Sequence, residues 1–141
     1  MEVKDVTEHA RYQVVLDQGE KVIETLTDFC ERRGIKSGAL KGIGAVRHSE
    51  IGYYDLSTKE YSFKTYDDDL EVVSLIGNIS LVEEKPFIHA HITLGNRDMN
   101  TVGGHLKECM VAVTLEIHLI TFNEHFTRTH NEHIGLNLLD L

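Results

Sequence analysis

The run Phe87-Ile88-His89-Ala90-His91-Ile92-Thr93-Leu94 limits this chain more than any other stretch. Residues alternate faces along a β-strand. Ile88, Ala90, Ile92 and Leu94 then share one apolar face, and His89 and His91 stand together on the other. Two imidazoles at i, i+2 can reach one ion, and a third can arrive from the next strand. Gly103-Gly104-His105 offers that third group. Three histidines and one open position is a common arrangement for catalytic zinc. Imidazole also suits copper, nickel and iron. The expected cofactor is therefore a divalent metal, zinc first, on His89, His91 and His105. The competing reading is a pair of histidines on a solvated strand face, with His105 at a hairpin.

The rest of the pattern is mostly strand. Residues 10–16 read as a first strand. Asp17 and Glu20 then form a capping-box-like start. Val22, Ile23, Leu26, Phe29 and Cys30 recur at helical spacing, and Gly34 is a natural stop. Strands are expected at 37–46, 51–55 and 59–66, with Leu56-Ser57-Thr58 as a turn. Asp67-Asp68-Asp69 reads as a loop, and 70–81 as a strand bent at Gly77-Asn78. Turns are expected at 83–86 and 95–98. Val111, Val113, Leu115, Ile117 and Leu119 alternate for a long strand. The tail ends in a final strand near Leu136-Asn137-Leu138-Leu139. Short-loop strands with one long helix predict an α+β fold, a mainly antiparallel sheet covered by that helix.

With 141 residues, 41% of them hydrophobic and 26% charged, the chain suits a single domain, 1–141. It has no 18-residue apolar run and no secretory-type start, so no membrane partner is expected and the cytoplasm is the default. Cys30 and Cys109 form no close motif and are expected as free thiols. The net charge of −9 opposes nonspecific binding to nucleic acid, which draws on Lys and Arg. Arg32-Arg33 with Lys36 and Lys41 reads as the solvated end of a helix.

Glu71 and Glu116 are the candidate catalytic carboxylates. Each shares a strand face with apolar neighbours, where a carboxylate tends to be paired, metal-bound or raised in pKa. Either could complete a metal shell, orient a ligand histidine or act as general base. An edge position open to solvent is the alternative. Arg47 could grip a carboxylate or phosphate, although an ion pair at the surface explains it as well. His118, His125, His130 and His133 are read as non-ligands. Gly42, Gly44, Gly103 and Gly104 match no phosphate-loop pattern and read as turn or packing glycines.

Five segments in order resemble one family. They are Gly42-Ile43-Gly44-Ala45-Val46, Ile51-Gly52-Tyr53-Tyr54, Leu70 to Asn78, His89-Ala90-His91 and Val102-Gly103-Gly104-His105-Leu106. The family is the PPC domain, for plants and prokaryotes conserved, and the likeness runs from about residue 10 to 140. The resemblance implies an α+β fold and a homotrimer. Plant members carry the domain behind AT-hook DNA-binding motifs; this chain has no Arg-Gly-Arg-Pro core. It is similar instead to stand-alone prokaryotic members, often named as DNA-binding. Plant domains resemble it at the glycine strand and at Glu71 but typically lack the histidines, which resemble those of metal-containing prokaryotic members. The fold also resembles that of acetolactate decarboxylase, a metalloenzyme with an H-x-H pair and a distant histidine. Fold analogy does not transfer a reaction.

Two function classes stay open at this stage. One is a trimeric metal-binding protein, a hydrolase or lyase on a small carboxylate or ester. The other is a non-catalytic regulatory or interaction module with DNA or a protein as partner. Apolar residues in excess of what one helix can cover, including Leu136, Leu138, Leu139 and Leu141, also point toward self-association.

Overall fold

Two long strands carry the architecture. The computed structural model describes residues 1–141 as β1 (Glu8–Asp17), α1 (Val22–Arg33), β2 (Gly38–Asp55), β3 (Glu60–Tyr66), β4 (Leu70–Val82), β5 (Lys85–Gly95), β6 (Thr101–Phe122), β7 (Thr127–Asn131) and β8 (Leu136–Asp140). β2 pairs with β6, β6 with β5, β5 with β4, and β4 again with β2, all antiparallel. These four strands close on themselves, which leaves no open edge among them. β1 lies along β6, and β3 along β2. The β7–β8 hairpin joins β4 through a parallel bridge from Leu81 to Thr127.

The expected α+β fold is therefore present, with one helix packed over β5 and β6. Val22, Leu26 and Cys30 face inward from α1. They meet Leu94, Leu106, Leu115, Ile117 and Leu119 in one buried cluster. Ile88, Ala90, Ile92 and Leu94 are all buried on β5. That burial fixes strand register, since a slip of one residue would turn His89 and His91 into the core. No helix is long and apolar enough to cross a membrane. Cys30 and Cys109 are free, and burial pushes each thiol up to about 12.

Four local expectations need correction. The helix is not capped by Asp17. It starts after Lys21, whose side chain makes no cap. Glu20 instead accepts from the Asp17 N–H at 2.7 Å and closes the preceding turn. The cap comes from far along the chain, because the Glu108 carboxylate accepts from the N–H groups of Ile23 and Glu24 at 2.9 and 3.1 Å. A negative group there also meets the positive end of the helix dipole. Residues 37–46 and 51–55 form one strand, since pairing with β6 continues through register shifts around Glu50. Gly77 does not interrupt the strand: β4 pairs without a register shift through it on both sides, and a Cβ there would lie 2.6 Å from the His89 carbonyl. The alternation along β6 breaks at Val113, which is 68% exposed. Pairing jumps from Gly44–Leu115 to Val46–Val111, and in the resulting bulge Ala112 stays buried while Val113 turns to solvent.

Glu108→Ala should cost about 1–2 kcal/mol, the usual loss for a removed cap with its dipole contribution. A lower urea midpoint at fixed protein concentration, with unchanged slope, is the expected reading. An unchanged midpoint would show that the long-range cap contributes nothing.

Candidate metal centre

β5 and β6 bring the histidines together. His91 lies directly opposite His105 in the ladder, and His89 stands two residues away on the same face. Ring centroids are 5.2 Å apart for His89 and His91, 5.3 Å for His89 and His105, and 5.7 Å for His91 and His105. One ring nitrogen from each lies within 4.8 Å of the others. His105 is thus a strand residue and not a hairpin residue. The preceding glycines explain its position. A Cβ on Gly103 would lie 2.7 Å from the Ile92 carbonyl of β5, and one on Gly104 would lie 2.7 Å from the Gly52 carbonyl of β2. Only bare backbone lets β6 fit between both neighbours.

The electrostatics favour neutral rings at His89 and His105. Burial chiefly, then Arg128 and the two neighbouring imidazoles, lowers His89 from its usual 6.5 to about 4. His105 is lowered by burial, His91 and Arg128. Neutral imidazole is the ligating form. The His105 Nδ1 atom is buried without a hydrogen-bond partner. Such a group is costly to leave unsatisfied. Three converging imidazoles, two held neutral by their surroundings and one with an orphaned nitrogen, are a donor set that a divalent cation fits.

The lowered pKa values fix the sign of a pH effect. The unfolded chain binds the proton at His89 more readily than the folded chain between pH 6.5 and about 4. This contribution to stability is full above pH 6.5 and is lost as pH falls toward 4. Metal-free protein should melt at lower temperature across that window, and less steeply so in His89→Gln. Equal slopes for the two proteins would contradict this.

Arg128 escaped the sequence reading. It lies on β7 and reaches across β4. Its Nε donates to Ser80 Oγ at 2.9 Å, Nη2 to Asn78 Oδ1 at 2.8 Å, and Nη1 to the Asn137 carbonyl at 3.1 Å. Nη2 also stands 3.3 Å from His89 Nδ1. Tyr61 stacks obliquely on His105 with centroids 5.0 Å apart. Arg128, Asn137 and Tyr61 line a cavity of about 210 Å³ together with His89 and His105.

The structure does not bring Glu71 or Glu116 to the histidines. Glu71 pairs with Gly95, four residues along β5 from His91 and about 13 Å away at the rise of a strand. Glu116 is exposed and lines a separate cavity of about 340 Å³ with Lys41, Ile43, Ile76 and His118. Arg47 pairs with Asp69 at 3.0 Å. His118, His125, His130 and His133 lie outside the imidazole cluster.

An antiparallel sheet closed on itself, with one covering helix and three imidazoles converging on its outer face, defines an α+β class with a built donor set. Comparison with known proteins makes this more particular. The chain belongs to the Plants and Prokaryotes Conserved (PCC) domain family, whose model matches residues 4–123. A plant- and prokaryote-conserved (PPC) protein of Pyrococcus horikoshii is 33% identical, with TM-score 0.93, covering 100% of this chain and 98% of its own. A metal-containing protein of Archaeoglobus fulgidus is 36% identical, with TM-score 0.92 and 98% of both chains covered. A protein of Bacteroides thetaiotaomicron, provisionally named as DNA-binding, is 31% identical, with TM-score 0.90 and 96% of each chain covered. No curated protein sequence matches the chain.

Proposed function

We propose that this protein is a homotrimeric metal-binding member of its family, holding one divalent ion, zinc first, on His89, His91 and His105. In this reading it acts on a small molecule as a hydrolase or lyase. The observation that carries the proposal is the convergence of three imidazoles, one with an orphaned nitrogen, beside a cavity. The metal-containing relative of Archaeoglobus fulgidus supports it. A bound divalent ion there would supply Lewis acidity, polarising an oxygen or lowering the pKa of water.

The protein's own groups do the rest. His91 and His105 hold the donor set across two strands. Tyr61 and Phe87 line the cavity side with aromatic rings. The free thiols Cys30 and Cys109 suit a reducing compartment such as the cytoplasm.

Trimer formation draws support from the outer face of the sheet. Val15 pairs with Glu116, and Glu116 with Ile43, in one row across β1, β6 and β2. Ile76 is opposite both Lys41 and His91 in the next row. Val15, Ile43 and Ile76 are 56%, 60% and 63% exposed. Apolar side chains gathered on one open face mark an interaction surface. This one runs up to His91, so Glu71 and Glu116 enter the proposed chemistry through a neighbouring chain.

Elemental analysis of protein purified without a histidine tag tests the reading. Near one ion per chain is expected, and the element found distinguishes zinc from copper, nickel or iron. Protein that stays metal-free after incubation with zinc would overturn it. The second reading, a regulatory DNA-binding module, draws on the name of the Bacteroides relative. The net charge of −9 argues against it through weak counterion release. Binding to random duplex at physiological salt should be weaker than micromolar; a gel shift at submicromolar protein would favour the DNA reading.

A further inference from the structure

Arg128 is held firmly but its charge is not neutralised. Four polar contacts fix the guanidinium, and every partner is neutral: Ser80 Oγ, Asn78 Oδ1, the Asn137 carbonyl and His89 Nδ1. None of the ion pairs in the structure includes Arg128. The guanidinium also lies over the Phe87 ring, 5.4 Å from its centroid. A group fixed in advance loses little further freedom when a ligand arrives.

The walls around this charge are of two kinds. Arg128, His89 and His105 are polar, and Tyr61, Leu136 and Leu138 line the same cavity with them. The volume, about 210 Å³, equals roughly seven waters' share of liquid. A neutral ligand would leave the guanidinium unpaired in a half-buried place. A dianion such as phosphate would set charge against leucine. A carboxylate can accept from the one guanidinium N–H that these contacts leave, on Nη1, and leaves its tail to the apolar lining.

We propose that Arg128 anchors the carboxylate of a small monoanionic acid whose short apolar tail lies against Tyr61, Leu136 and Leu138. This names the ligand class of the proposed metal site, and it rests on that reading only for the contact between the carboxylate head and the histidine cluster. Arg128 and both leucines come from the β7–β8 hairpin, past the residues 4–123 matched to the family model. Ligand choice thus sits on a different element from the donor set.

Butyrate, acetate and inorganic phosphate are titrated into zinc-incubated protein by calorimetry, with metal content measured on the same samples. Butyrate should bind about tenfold more tightly than acetate, the gain for two buried methylenes, and more tightly than phosphate. Arg128→Met should weaken butyrate at least about tenfold while metal content stays unchanged. Leu138→Trp adds bulk at a lining residue that makes no hydrogen bond to the guanidinium, and it should do the same. It decides the matter if Arg128→Met does not fold. Absent butyrate saturation, a preference for phosphate, or unchanged affinity in folded Arg128→Met or in Leu138→Trp would each overturn the anchor. His91→Ala separates the two readings. Arg128-dependent butyrate binding in a protein that holds no metal keeps the anchor and removes the metal from its support. Full metal content with no butyrate binding does the reverse.

Discussion

Replacing His89, His91 and His105 together by alanine should take the protein from near one metal ion per chain to none, while far-UV circular dichroism stays unchanged. His91→Ala alone should remove most of the metal. The fold survives because His91 is exposed, and His89 and His105 are only partly buried on the outside of β5 and β6. Their loss opens no cavity in the core. A ligand that binds only the folded state raises stability with its concentration, by about 2.7 kcal/mol at a hundredfold excess over the dissociation constant. Wild-type protein should therefore melt at higher temperature as zinc is added, and the triple variant should not. Near-stoichiometric metal in the triple variant would sink the assignment of these three ligands.

Light scattering at micromolar concentration should give three times the chain mass for the wild-type protein and the chain mass for Ile43→Asp combined with Ile76→Asp. Both isoleucines are exposed in the single chain. Burying such a side chain contributes about 1.5–3 kcal/mol. Placing a carboxylate in an apolar contact reverses the sign and adds a desolvation cost. Two such changes at every boundary of a closed ring exceed what a typical assembly tolerates. A wild-type monomer would remove the trimer, and with it the entry of Glu71 and Glu116 from a neighbour.

The donor set was legible in the sequence because period-two alternation fixes faces with no tertiary knowledge. His89 and His91 had to stand opposite Ile88, Ala90 and Ile92 wherever that strand lay. The glycine pair before His105 carried the next signal, since close backbone approach on both sides is what the structure shows there. The helix was legible from its apolar stripe and from Gly34, but its cap was not. Glu108 lies 84 residues from Glu24, and no local pattern links them. Val113 misled for a related reason: alternation predicts burial only where register is unbroken, and bulges are set by the facing strand. Arg128 was hidden by its setting. The alternation of Thr127-Arg128-Thr129-His130 could have been read as a strand, yet nothing in those four residues shows that they cross to Ser80 and Asn78. Sequence spacing reports on faces and turns; it is silent about which distant strand supplies a cation.

The place of β6 in the ladder also governs the order in which this chain can be completed. β1 pairs with β6 from Arg11 opposite Ile120 to Asp17 opposite Thr114, so the first strand has its partner about a hundred residues later. β2 and β5 need the same strand. A chain leaving the ribosome makes the H-x-H strand before His105 exists and before the sheet can close. Long-range pairing of this kind is slow and leaves strand edges open meanwhile. The nascent protein therefore depends on its last third: residues 101–122 give α1, the core and the imidazole cluster their shared strand, and Arg128 reaches His89 only with β7.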